Sequence, residues 1–328
     1  MKTISKIFYG FVVLSLVGCS ASSSGGTSAS TSTNSGTAEI DVNGENTIDD
    51  YLSYKVKGVQ AVTKIEPLNT AGVYTYIEEK TAGNVYVDVM LTIKNLSSDS
   101  MDVTKAFTGT ISIDGKECET AVGAEDDDNT SIYKNMEIKP LQERIVHFYT
   151  DTAKENAEKD IEFAFTANNK KATMKVNLSD SSTLPKKTYS KLGDKVGDPA
   201  KCEATFVSVT TTKDISPANP SGSYYSHYTA EDGITYLVLR IDYKNISGTA
   251  VDADKIGSMK VIVDSKYNYN GNACLELDGD LQYMNITSIK PLESAVLYYY
   301  AEVPDEIVSK TYDMTFYVNS IEYNYTNK

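Results

Sequence analysis

Most of this chain is written twice. Asn84 to Ser97, NVYVDVMLTIKNLS, lies over Ile234 to Ser247, ITYLVLRIDYKNIS, at an offset of about 150 residues. At that offset Gly72 meets Gly222, Tyr74 meets Tyr224, Tyr86 meets Tyr236, and Ile65 and Pro67 meet Ile215 and Pro217. After one inserted residue the match resumes, with Ile138-Lys139-Pro140-Leu141 over Ile289-Lys290-Pro291-Leu292 and Phe165 on Phe316. Short matches in order with a single insertion mean one domain duplicated. Whatever fold the first copy takes, the second must be able to take too.

Each copy reads as β. Val85, Val87, Val89, Leu91 and Ile93 alternate with Tyr86, Asp88, Met90, Thr92 and Lys94, the period of two expected for a strand with one buried face. Leu237, Leu239, Ile241 and Tyr243 keep that parity in the second copy. Turn residues follow in both, Asn95-Leu96-Ser97-Ser98 and Asn245-Ile246-Ser247-Gly248. A further strand follows each Lys-Pro-Leu corner, Ile145 to Tyr149 and Val296 to Tyr300, where proline opens a strand instead of interrupting one. The tails Ile161 to Leu178 and Tyr312 to Tyr325 read as hairpins turning at Asn168-Asn169 and Asn319-Ser320. Thr152 to Lys159 and Pro304 to Lys310 each have room for one helical turn. About six to eight short strands in each unit predict an immunoglobulin-type sandwich, without a Cys-Trp-Cys core because Trp is absent. The expected fold is all-β, two tandem immunoglobulin-like β-sandwiches at 50–178 and 201–328. The stretch 179–200, with Leu184-Pro185-Lys186-Lys187 and Gly-Asp pairs, reads as the interdomain linker.

The first residues have the layout of an export signal, with Lys2 and Lys6 ahead of the apolar run Ile7 to Val17. That run is shorter than the roughly 20 apolar residues a bilayer span needs. It ends in Leu16-Val17-Gly18-Cys19, which resembles the lipobox of bacterial lipoproteins. The resemblance implies that 1–18 is a lipoprotein signal peptide and that Cys19 becomes the lipidated N-terminus. Two acyl chains, at about 0.8 kcal/mol per buried methylene, hold firmly where one would exchange. Residues 19–49 are mostly Ser, Thr, Gly, Ala and Asn and read as a disordered leash, too poor in apolar surface to offset ordering entropy. Such a leash spans about 30 Å on average and about 100 Å fully extended. The expected location is the extracellular face of the cell membrane, with the membrane itself engaged through lipid on Cys19.

The two copies also resemble the Ig-like domain of unknown function carried by Gram-positive lipoproteins, related in fold to the mycobacterial immunoprotective extracellular protein. The shared pattern is a long strand ending in a Lys-Asn turn, a Pro-containing corner, and a strand closing on an aromatic-x-x-Pro. Here these are Tyr236 to Ser247, Lys290 to Glu293, and Tyr300-Ala301-Glu302-Val303-Pro304, with Lys94-Asn95 and Lys139-Pro140 in the first copy. Leu141 and Leu292 stand where the family commonly has glycine. The resemblance implies a fold and carries no catalytic residues.

Charge narrows the partners. A net charge of −14 and only two arginines, Arg144 and Arg240, argue against nucleic acid and leave neutral glycans, proteins or cations. His147 shares a strand face with Ile145 and Tyr149 and reads as a structural histidine; His227 lies in a Tyr-rich loop without the context of a triad. No phosphate loop or metalloprotease helix is present, and the chain reads as a non-enzyme. Beyond Cys19 there are Cys118, Cys202 and Cys274, an odd number; Cys202 with Cys274 is a possible disulfide, and three unpaired thiols is the alternative. The acidic segments Glu125, Asp127, Asn129 and Glu276, Asp278, Asp280 align with one another, and oxygen groups at alternate positions suit Ca²⁺, although a solvated acidic turn has the same composition. Tyr outnumbers Phe 24 to 8, and Tyr74, Tyr76, Tyr224, Tyr225 and Tyr228 cluster ahead of the long strands. Such loops offer rigid amphipathic contact surface, and half-buried strand positions favour Tyr as well. The functional expectation is a surface lipoprotein presenting two modules for binding or adhesion. The alternative is a cation- or small-ligand-binding accessory protein of a transporter or sensor.

Overall fold

Duplication at the level of sequence becomes duplication of strand order. The computed structural model describes residues 37–328 apart from Gly72, and Thr37–Lys328 form one compact unit. The signal segment and Cys19 lie outside the described residues. In the first copy the long strands are β1 (Leu52–Val62), β2 (Asn84–Asn95), β3 (Phe107–Ile113), β4 (Ala121–Glu125), β5 (Glu143–Ala153), β6 (Asp160–Ala167) and β7 (Lys170–Asn177). In the second they are β8 (Cys202–Thr212), β9 (Ile234–Asn245), β10 (Met259–Val263), β11 (Asn272–Leu277), β12 (Ser294–Pro304), β13 (Tyr312–Val318) and β14 (Ile321–Thr326). One sheet of each copy runs β1-β2-β5-β4 or β8-β9-β12-β11; the other runs β3-β6-β7 or β10-β13-β14. This is the four-plus-three arrangement of constant-type immunoglobulin domains. Even the irregularities repeat, since the register of β1 on β2 slips between Val56 and Gly58 and that of β8 on β9 between Phe206 and Ser208.

Between the sheets lie two separate apolar cores. Phe148 meets Phe163 at 5.3 Å and Phe165 at 5.7 Å in the first, and Phe206 and Phe316, 5.1 Å apart, meet in the second. The hairpins turn where Asn168-Asn169 and Asn319-Ser320 predict. Asn168 and Asn169 have φ of 46° and 58°, and Asn319 and Ser320 have 49° and 66°, the positive values that two-residue hairpin loops require.

The Lys-Asn turn and the proline corner prove to be one device. Asn95 is fully buried; its side chain donates to the Asp99 and Ile138 carbonyls and accepts from Ser97. Asn245 does the same with Thr249, Ile289 and Ser247. The corner closes on the same residue, because Leu141 N–H donates to Asn95 O and Leu292 N–H to Asn245 O. To reach there, both leucines adopt left-handed backbone, φ of 63° and 66°, with their side chains in solvent. Glycine would take this backbone without strain.

Four expectations need correction. The face of β2 carrying Tyr86 and Asp88 is not solvent-facing: they are 5% and 0% exposed, because a loop covers it. The leash does not run to residue 49, since Ala38–Glu39 pairs with β7, Ile40 is in the first core, and Glu45–Ile48 pairs with β1. The linker 179–200 is built into the structure: Leu184 packs on the first core, Ser190 N–H donates to Asn324 O, and Lys195–Val196 pairs with β8. Finally, Cys118, Cys202 and Cys274 are all free thiols. Cys202 is on β8 and Cys274 on β11, opposite edges of one sheet with β9 and β12 between them. Three strand spacings of about 4.8 Å exceed the roughly 7 Å Cα separation a disulfide tolerates. Burial pushes the Cys202 thiol up to about 11 and the Cys274 thiol up to about 12, which leaves both inert at neutral pH.

Two substitutions separate the parts of the corner. Asn95→Ala strands the buried Ile138 carbonyl and is expected to lower unfolding free energy by about 1–3 kcal/mol. Leu141→Gly relieves left-handed strain on an exposed residue and is expected to raise it by about 0.5–1 kcal/mol. Urea titration of both variants against the parent chain reads the two signs directly.

Candidate functional site

A strand face rich in Tyr and acid cannot stay open to water and remain apolar, and in each copy the loop between the first two long strands folds back over it. In the first copy Ile65 pairs with Ile77 and packs, fully buried, with Tyr86 and Tyr149, whose rings meet edge to face at 5.6 Å. In the second, Asp214–Ile215 pairs with Tyr228–Thr229, and Ile215 packs with Tyr236 and Tyr300. A carboxylate at the inner face of this loop holds its backbone. Glu125 Oε1 accepts from Leu68 N–H at 3.1 Å; the Glu276 carboxylate accepts from Ala218 N–H at 2.6 Å and Asn219 N–H at 2.9 Å.

Beneath the first loop lies a closed polar cluster. His147 Nδ1 sits 3.1 Å from Asp88 Oδ2, and its Nε2 sits 3.1 Å from Glu125 Oε1. Gln60 adds a donor to Asp88 at 3.0 Å. All three ionisable groups are essentially inaccessible to water. Burial disfavours the imidazolium, but the Asp88 and Glu125 carboxylates outweigh it and raise His147 to about 10. With a carboxylate at each ring nitrogen, the doubly protonated ring is the form that satisfies both. In the second copy Val238 replaces Asp88 and Tyr298 replaces His147; the Tyr298 hydroxyl donates to Glu276 at 2.9 Å. Burial, then the bonded carboxylate, raises that phenol above its usual range.

The six aligned acidic-loop residues are not brought together. Glu125 and Glu276 are buried loop anchors, 2% and 5% exposed. Asp127 pairs with Arg144 at 2.6 Å and accepts from Gln142 at 2.7 Å. Asn129 adopts φ of 54° and donates to Ser320 Oγ of the second copy at 2.6 Å. Asp278 shapes a turn at φ of 54°, and Asp280 accepts from Ser226 N–H at 2.6 Å. Among the described residues no three His, Cys, Asp or Glu side chains are placed to hold a metal ion.

These loops have another occupation in the first copy: they dock on the β10-β13-β14 sheet of the second. Leu68, Ile145 and Tyr317 form a small buried apolar cluster. Around it Ser258 Oγ donates to Leu68 O at 2.9 Å, and Asn69 Nδ2 to Asp254 O at 3.1 Å. Glu66 meets Lys260 at 3.2 Å, Asp128 meets Lys255 at 3.1 Å, and Lys57 meets Glu322 at 2.6 Å. Lys57 also lies 5.5 Å from the centre of the Tyr317 ring. Burial and the nearby Glu322 and Glu125 carboxylates push the Tyr317 phenol well above its usual range.

The corresponding face of the second copy has no such cover among the described residues. It carries an open cleft of about 580 Å³ lined by Asp214, Ser216, Tyr224, Tyr225, His227 and Asp280 with neighbouring serines. His227 Nδ1 is 2.7 Å from Asp214 Oδ2, and Asp214 is held in turn by Ser216 and Thr229. Burial of Asp214 is outweighed by these bonds, which lower its carboxyl below the usual range. Tyr224 is 99% exposed and Tyr225 41%. Sequence reasoning singled out both tyrosines and His227 but missed Asp214. Nothing in the one-dimensional pattern tells that residues 13 apart face each other across a two-residue ladder.

No family model and no curated protein matches the chain. Among solved structures, an uncharacterized β-sandwich protein from Clostridium difficile 630 is 26% identical, with a TM-score of 0.40, over 44% of this chain and 95% of its own. A chimeric titin Z1Z2 carrying a decorin KLER peptide is 15% identical with a TM-score of 0.16, over 82% of this chain and 95% of its own. The N-terminal eight Ig domains of a Down syndrome cell adhesion molecule isoform are 10% identical with a TM-score of 0.18, over 84% and 36%. The strand order, by itself, makes this chain all-β and immunoglobulin-like.

Two measurements follow from this geometry. His147 is raised on folding, so its contribution to stability is whole below about pH 6.5 and is lost as pH rises toward 10. His147→Gln, which leaves two buried carboxylates without their cation, is expected to cost about 3–5 kcal/mol at pH 6.5. The gap between parent and variant urea midpoints should narrow as pH approaches 10. Calcium is the second: because the acidic residues do not converge, saturating Ca²⁺ and chelator should give the same melting temperature. A shift of several degrees, lost in Asp127→Ala or Asp278→Ala, would reinstate those loops as cation sites.

Proposed function

We propose that this chain is a lipid-anchored extracellular binding protein, without catalytic activity of its own, that displays the loop face of its second sandwich as a recognition surface. The observation that carries this reading is the asymmetry of a duplicated face. The loops that in the first copy hold the second sandwich recur in the second copy, where the face is open and Tyr224 is 99% exposed. Exposed aromatic side chains grouped at one place are a feature of contact surfaces more than of inert ones. Anchoring rests on the lipobox-like Leu16-Val17-Gly18-Cys19, and the Ser/Thr/Gly-rich run after it supplies reach beyond the membrane. The firm join between the sandwiches gives this surface a set orientation relative to the first domain. A flexible tandem would not.

The reading is tested in two steps. Cys19→Ser should move the protein from the membrane fraction to the soluble fraction, with its unfolding midpoint unchanged. The released protein should then sediment with washed cell envelopes, and Tyr224→Ser/Tyr225→Ser should reduce that retention by about tenfold or more. Equal retention of the double variant would place recognition elsewhere on the molecule.

A further inference from the structure

We propose that the cleft of the second sandwich takes a neutral oligosaccharide, stacked on Tyr224 and Tyr225 and hydrogen-bonded by His227 and Asp280. This rests on the second sandwich being the recognition module and names what it recognises. Its polar groups are organised in advance. A carboxylate only accepts, so Asp214 at 2.7 Å fixes His227 Nδ1 as the donor and leaves Nε2 without a protein partner among the described residues. Asp214 cannot swing away, since Ser216 and Thr229 both donate to it. Asp280 uses Oδ1 to accept from Ser226 N–H and keeps its second oxygen for a ligand hydroxyl. Two free polar atoms beside two phenol rings match a ring that has hydroxyls, which both donate and accept, at its rim and C–H groups on its faces. The carboxylates, in a chain of net charge −14, oppose an anionic sugar. A volume of about 580 Å³ falls in the range of small-ligand sites, roughly 300–1,000 Å³.

The alternative occupant, another protein domain, is the one the first copy receives, and the second copy has lost what receives it. Glu66, Leu68 and Asp128, which carry the charge pairs and the apolar anchor of the docked face, correspond to Ser216, Ala218 and Gly279. Gly279, at φ of 79°, is also what lets the segment 219–221 close against this turn. A Cβ there would collide with Asn219 O and Ser221 N. An apolar, charge-paired platform has become a polar hollow.

Isothermal titration of the full-length chain with maltotetraose, cellotetraose and tetra-N-acetylchitotetraose tests the assignment. At least one is expected to bind with a dissociation constant of about 1 mM or tighter. His227→Ala and Tyr224→Ala should each weaken it by about tenfold or more, with the melting temperature held, and Tyr133→Ala on the first sandwich should leave it unchanged. No binding by any of the three, or binding indifferent to His227 and Tyr224, overturns the saccharide assignment. If envelope retention still depends on Tyr224 and Tyr225 in that case, only the ligand class falls and the recognition surface stands. If both are lost, the recognition reading falls with it.

Discussion

Everything distinctive about this molecule hangs on a buried carboxylate that holds backbone N–H groups. Glu125 and Glu276 sit at the ends of β4 and β11, almost without access to water, and each accepts from the loop that leaves the first long strand of its copy. An ionised carboxylate in such a place is costly unless it is hydrogen-bonded to charge or to N–H groups. Here the bonds that offset the cost also pin a long loop across the outer face of the four-stranded sheet. Without that pin the face bearing Tyr86, Tyr149, Tyr236 and Tyr300 would be open to water. With it, each two-layer sandwich gains a third layer, and the loop tip becomes a shaped surface.

The two copies meet the same electrostatic demand by different chemistry. In the first, a positively charged His147 lies between Asp88 and Glu125, so that two buried carboxylates share one cation. In the second, Asp88 has become Val238, one carboxylate remains, and a neutral Tyr298 hydroxyl suffices. The changes are coupled. A histidine opposite valine would leave one buried ring nitrogen without its carboxylate, and a tyrosine opposite aspartate would leave two carboxylates facing each other. Asp88 and His147, like Val238 and Tyr298, form a matched pair across one sheet.

Periodicity showed the parts that depend on local geometry. The alternation of β2 and β9, the Asn-led hairpin turns and the proline corners all appear where residue pattern and turn chemistry place them. Two features stayed hidden because they depend on what covers what. Tyr86 and Asp88 read as outward-facing because period two distinguishes two faces without telling whether the second is covered. The aligned acids at Glu125 and Glu276 read as cation ligands or as a solvated acidic turn, because spacing reveals side-chain types but not the N–H groups of a distant loop. The same limit applied to Cys202 and Cys274, which share a domain in sequence and stand at opposite edges of a sheet in space. Strand parity puts His147 on the face of Ile145 and Tyr149, while its partners, contributed by two other strands, are not visible in it.

Duplication also explains why the two ends of the molecule differ in character. A duplicated sandwich begins with two identical loop faces, and only one of them can be used to join the copies. The joined face evolves toward complementarity with a fixed neighbour, and Leu68 against Tyr317 with lysines meeting Glu66 and Asp128 is the outcome. The other face is released from that constraint. It has exchanged the apolar anchor for Ala218, the charge partners for Ser216 and Gly279, and has placed Tyr224, Tyr225 and a braced Asp214–His227 pair around a hollow. A face under no demand would be expected to lose its aromatic side chains to solvent-compatible ones, since an exposed tyrosine gains nothing from burial. A nearly fully exposed Tyr224 beside a hollow, at the one copy of the face left open, is the reason to assign function there rather than at the join.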